Sequence, residues 1–83
     1  MKADKEKARR MGKAFANEID IDIITTDDGK YKGVITMDNQ DFYYETDPYK
    51  DKKNALAEVM GFLEGLKVQI DSYIERINRV LEL

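Results

Sequence analysis

The longest regular pattern in this chain runs from about Lys52 to Leu83. Leu56, Leu63, Ile70 and Ile77 recur every seven residues, and Val59, Leu66, Tyr73 and Val80 recur every seven at an offset of three. Alternating steps of three and four put these eight on one seam of an α-helix. Met60, Phe62, Ile74, Leu81 and Leu83 widen the seam. A wide stripe faces a globular core, whereas a narrow one faces a coiled-coil partner.

Upstream the period changes. Residues 3–18 form a helical pattern, with Ala8, Met11, Phe15 and Ile19 on one stripe and Lys5, Arg9, Arg10 and Lys13 mostly off it. Ile19 to Thr25 then alternates, with Ile19, Ile21 and Ile23 on one side and Asp20, Asp22 and Ile24 on the other. A period of two predicts a half-buried strand. Thr26-Asp27-Asp28-Gly29 carries turn chemistry, because Asp-Gly suits positive φ. Tyr31 to Met37 is the second predicted strand. Its Gly33 marks a bulge or a point where a helix comes close. Asp38-Asn39-Gln40-Asp41 is a second turn, and the aromatic run Phe42 to Thr46 a third strand. Asp47-Pro48 ends the sheet, with Pro48 suited to a first helical position and Asp47 or Asp51 to the cap.

This order predicts an α+β fold, αβββα. A basic N-terminal helix (1–18), a three-stranded antiparallel meander (19–47) and a long amphipathic helix (48–83) form one domain, with both helices on one sheet face. Ile21, Ile23, Ile35, Met37, Phe42 and Tyr44 are expected to meet Leu56, Val59, Leu63 and Leu66. A helix of this length spans about 48 Å, against a sheet of about 23 Å. It must overhang and pair with the first helix or with a second copy, or else break at Gly61 or Gly65. These two glycines, four apart, also offer a site for close backbone packing.

Composition narrows the chemistry. The 83 residues contain no Cys, His or Trp, and Ser72 is the sole serine. Thiolate metal sites, the usual neutral-pH acid/base and most nucleophile dyads are thereby excluded. No metal, no cofactor and no enzymatic activity is expected. No apolar run is long enough to span a bilayer, and Met1 to Arg10 is too charged for a secretory signal, so the expected location is cytoplasmic, with no membrane partner.

Charge is unevenly spread. Residues 1–16 carry six Lys/Arg against two acids, a net +4. Residues 17–51 carry ten acids against three Lys, a net −7, and residues 52–83 carry five of each sign. The basic run is either a solvated face, a phosphate-binding arm or a docking element. Asp20 and Asp22 share a strand face as a carboxylate pair of the kind that serves as acid and base or holds Mg²⁺, and wet strand faces commonly show the same spacing. Asp27-Asp28-Gly29 lacks the spacing of a calcium loop.

Acids interleaved with tyrosines are more informative. Asp38, Asp41, Tyr43, Glu45, Asp47 and Tyr49 crowd a fourteen-residue segment that also holds Tyr44 and Asp51. Tyrosine buries area in interfaces at low entropic cost, and carboxylates hasten encounter with a basic partner. The same pattern also serves as an anionic edge that prevents sheet-to-sheet aggregation. With Asp20, Asp22, Asp27 and Asp28, these residues are the expected partner-binding set. Ile70, Tyr73, Ile77 and Val80 are the expected oligomer seam.

A compact acidic chain of this element order resembles small phage or mobile-element accessory proteins of the anti-CRISPR kind. That resemblance implies inhibition of a basic protein or ribonucleoprotein complex by nucleic-acid mimicry in the host cytoplasm. The element order also resembles a double-stranded-RNA-binding domain, with Lys52-Lys53-x-Ala55 near the last helix start. The Asp27-Asp28-Gly29 loop would repel phosphate there, so direct nucleic-acid binding is not expected. The leading expectation is therefore an inhibitor or accessory factor that binds protein through an acidic, tyrosine-bearing sheet face. The alternatives are an assembly module built on the C-terminal helix and a nucleic-acid binder using the basic N-terminal helix.

Overall fold

A computed structural model describes residues 3–38 and 41–82. The order is α1 (Lys5–Ala16), β1 (Ile19–Thr25), β2 (Tyr31–Met37), β3 (Phe42–Glu45) and α2 (Lys52–Leu81). The strands form one antiparallel sheet in the order β1-β2-β3. This is the αβββα architecture expected from the pattern. Asn39 and Gln40, at the second turn, and Leu83, at the end of the seam, lie outside the described residues.

The β1–β2 hairpin closes through local chemistry. Thr26 N–H donates to the Lys30 carbonyl at 2.8 Å, and Gly29 N–H to the Thr26 carbonyl at 3.0 Å. Gly29 takes φ 79°, the left-handed position such a turn requires. The register sets Ile19 opposite Met37, Ile21 opposite Ile35 and Ile23 opposite Gly33. These residues make the inner face, and α2 packs over its β2 strip.

Gly33 determines how closely α2 approaches. A Cβ there would collide with the Val59 side chain and lie 3.3 Å from the Ala55 carbonyl oxygen. With the helix this near, only a small residue fits directly above the sheet. Ala55 and Val59 are buried, along with Ile35, which is 1% exposed. Leu56, expected in the core, is displaced to the rim and is 45% exposed, and Leu66 and Ile21 are exposed as well. The helix is thus rotated from the orientation its heptad seam suggests.

The junction after β3 also departs from expectation. Thr46 N–H still donates to the Gly33 carbonyl at 2.9 Å, and Tyr31 and Tyr49 exchange a further pair of backbone bonds at 2.7 and 2.8 Å. Asp47 and Pro48 are therefore a bulge inside a continuing ladder, where a missing N–H is tolerated. They do not start the helix. Asp51 caps α2, its carboxylate accepting from Asn54 N–H at 3.0 Å. α2 then runs unbroken through Gly61 and Gly65, both facing open space, so the glycine pair does not break the helix and packs against nothing in this chain.

α1 begins at its cap, Asp4, which accepts from Lys7 N–H at 2.9 Å. It flanks the α2 side of the sheet but buries none of its residues. The described chain measures 59 × 23 × 18 Å, because the distal half of α2 extends past the sheet.

Candidate interaction surfaces

Two surfaces are available, one on each side of the sheet. On the uncovered side the register places Asp20, Thr36 and Tyr43 in one row and Asp22, Val34 and Glu45 in the next. Asp20, Asp22 and Tyr43 are exposed. Glu45 is half-buried and already engaged. Lys32 Nζ donates to it at 2.5 Å, as does the Tyr43 hydroxyl. Those two bonds, Lys32 first, hold the Glu45 carboxyl below its usual range and raise Lys32 and Tyr43. Val34 is buried among these side chains, although it lies on the outer face.

The other expected partner-binding residues are not gathered there. Asp27 and Asp28 sit in the hairpin loop beside the Tyr31 end of β2. Asp28 accepts from the Thr26 hydroxyl, which lowers its carboxyl, and lies 3.7 Å from Lys30. Asp38 and Asp41 lie at the opposite end of the sheet. Asp47 lies in the bulge. Tyr49 turns toward α2 rather than outward.

The target of Tyr49 is Glu58, a residue the sequence pattern did not single out. Glu58 accepts from the Tyr49 hydroxyl at 2.5 Å, the Tyr44 hydroxyl at 2.6 Å and the Asp47 N–H at 3.3 Å. Those hydroxyls depress the Glu58 carboxyl, and the same bonds raise Tyr44 and push Tyr49 up to about 12. One carboxylate on the second turn of α2 thus clasps β3 and the bulge after it. The available signal was an acid among apolar seam residues, near a segment rich in tyrosine.

The second surface is apolar. α1 and α2 stand apart on the covered side of the sheet and leave a groove of about 780 Å³. Phe15 and Ala16 line one wall and Phe62, Leu66, Ile70 and Ile74 the other, with Ile35, Met37 and Phe42 at the base. Phe62 stacks on Tyr44 at 4.4 Å and meets Phe42 at 5.7 Å, which braces the groove where α2 leaves the sheet. Beyond Leu66 the seam is bare. Ile70, Tyr73, Ile77 and Val80 are all more than half exposed, and Leu81 is 76% exposed. Met11 and Phe15 of α1 are exposed as well, at 64% and 54%. Arg9 and Lys13 stand on the α1 side of the groove.

Among the described residues no cluster of three or more His, Cys, Asp or Glu is placed to hold a metal ion, and no helix is long and apolar enough to cross a membrane. Comparison with protein-family models, with curated proteins and with solved structures returned no match to this chain.

Proposed function

We propose that this protein is a non-enzymatic interaction module whose docking element is the fork between α1 and the distal half of α2. One observation carries the reading: a continuous apolar seam from Leu66 to Leu81 is left bare by the chain's own fold. Single exposed leucines are ordinary, but a contiguous apolar patch of this extent marks an interaction surface. A helix overhang without tertiary packing is also marginal in water, so a partner that covers it stabilises it.

The test is the native mass of the protein in the cell that makes it. Ile74→Asp and Ile77→Asp leave the Gly33–Val59 contact and the Glu58 clasp untouched. The parent is expected to run in a complex heavier than the 9.6 kDa chain, and both variants as the single chain. A parent that runs as the single chain overturns the reading.

The uncovered sheet side supports a second docking role. Asp20, Asp22 and Tyr43 are exposed there, clear of both helices. A basic, nucleic-acid-handling protein fits that charge, in keeping with the resemblance to anti-CRISPR-type accessory proteins. The engaged Glu45 and the dispersal of Asp27, Asp28, Asp38 and Asp41 make this surface smaller than the sequence suggested.

A further inference from the structure

We propose that the occupant of the fork is a second copy of this chain, with the two α2 helices packed antiparallel about a two-fold axis midway between Asp71 and Ser72. This inference rests on the reading of the fork as a docking element and names its partner. The seam is self-complementary in that register. Ile70 meets Tyr73 of the second copy, Leu66 meets Ile77, Leu63 meets Val80 and Phe62 meets Leu81, with each pair repeated by symmetry. All four pairs are apolar, and Ile74, on the flank of the seam, lies level with Gln69. A parallel pair would stack each residue on itself and carry both overhangs away from both sheets, leaving both grooves open.

Length fits the same arrangement. The overhang from Leu66 to Leu81 spans about 23 Å at 1.5 Å per residue, so the end of one α2 reaches the exposed Phe42 of the other copy. α1 leads into β1 at the Met37 end of β2, and its Arg9 and Lys13 line the groove together with Ile70 and Ile74 of the overhang. Antiparallel packing brings this basic wall of the groove, within a segment of net +4, toward the acidic sheet end of the second copy, where Asp20, Asp38 and Asp41 lie. The charge asymmetry along the chain thus becomes complementarity between copies, while α2 itself, with equal charges of both signs, adds no net repulsion.

Area agrees as well. The large side chains of the seam and of α1 are roughly half exposed or more. Each offers on the order of 100 Å² of apolar surface, so together they approach the roughly 800 Å² per partner of a stable interface. The chain has reason to need it. Its buried hydrophobic residues among those described are Val34, Ile35, Ala55 and Val59, a small core even for a short domain.

The test is sedimentation equilibrium of the purified full chain at micromolar concentration. The expected mass is twice 9.6 kDa, falling to the single chain in Ile77→Asp. Because that variant could lose its fold, orientation is read separately. The chain has no cysteine, so Leu66→Cys and Ile77→Cys chains are mixed under mild oxidation. The mixed disulfide is expected in several-fold excess over either self-disulfide, because only the cross pair brings Cα atoms within bonding range. Dominant self-disulfides overturn the antiparallel register, and a mass of three or more chains overturns the two-fold pair. A purified chain that stays single overturns the second copy as occupant. If the complex in the cell is nonetheless lost in Ile74→Asp, the fork docks a different protein and the proposed function stands. If the parent is single in both settings, both fail.

Discussion

Gly33 and Val59 meet where the sheet and α2 are closest, and this one contact sets the spacing of the two layers. Gly33→Ala is expected to cost about 1–3 kcal/mol by overpacking, measured as a lower urea midpoint at fixed protein concentration. Adding Val59→Ala should recover part of the loss, since the shortest obstruction is the valine side chain. A double variant no more stable than Gly33→Ala would show that the neighbours at 3.2–3.3 Å, Thr46 and the Ala55 carbonyl, set the limit instead. The Glu58 clasp works on a different axis, pH. Glu58 is depressed in the folded chain, so its contribution is full above the ordinary carboxylate range and is lost as pH falls through the lowered value. Tyr49 is raised, so its contribution is full below pH 10 and is lost as pH climbs toward about 12. Urea midpoints across pH should therefore decline at both ends, more steeply in the parent than in Glu58→Gln. Equal alkaline slopes in the two proteins would count against the clasp. Asp28 and Glu45 are depressed too, so the acid side is shared, and the difference between parent and variant isolates Glu58.

At the scale of elements, local chemistry sets boundaries and packing sets roles. β1 and β2 end where alternation ends, and their hairpin is closed by residues within five positions of one another. α1 starts at Asp4 and α2 at Asp51, each a carboxylate that accepts from a backbone N–H three residues on. α2 stays continuous through Gly61 and Gly65 because neither touches anything that would exploit the missing side chain. Gly61→Ala and Gly65→Ala are each expected to raise stability by about 0.5–1 kcal/mol through helix propensity and a less flexible unfolded chain. The sedimenting mass should not change. A loss of mass on either substitution would reveal a close helix crossing at that glycine and would relocate the interface from the seam.

For the whole molecule, elongation is the central fact. Thirty residues of helix cannot be covered by strands of seven and four. The excess leaves an apolar arm with a basic helix beside it and an acidic sheet at its root. A second copy turned end for end answers the three features together, and the mass of the purified chain decides whether it does.

Much of this was legible along the chain. Element order, the β1 and β2 limits, the Asp-Gly turn and the long helix follow from periodicities of two and of three to four, which depend on neighbours a few residues away. The bareness of Ile70, Tyr73, Ile77 and Val80 was implied by helix length against sheet length. Other features depend on distances between residues far apart in sequence. Alternation could not show that Gly33 draws α2 so close that Ala55 takes the core and Leu56 the rim. Turn propensity could not show that Asp47-Pro48 is a bulge, because the Tyr31–Tyr49 pair beyond it is a long-range bond. Nor could a cluster of acids and tyrosines show its own division, with Tyr43 outward, Tyr44 and Tyr49 inward on Glu58, and the aspartates parted to opposite ends of the sheet. Strand direction and layer spacing make that division, and both exist only once the chain has folded.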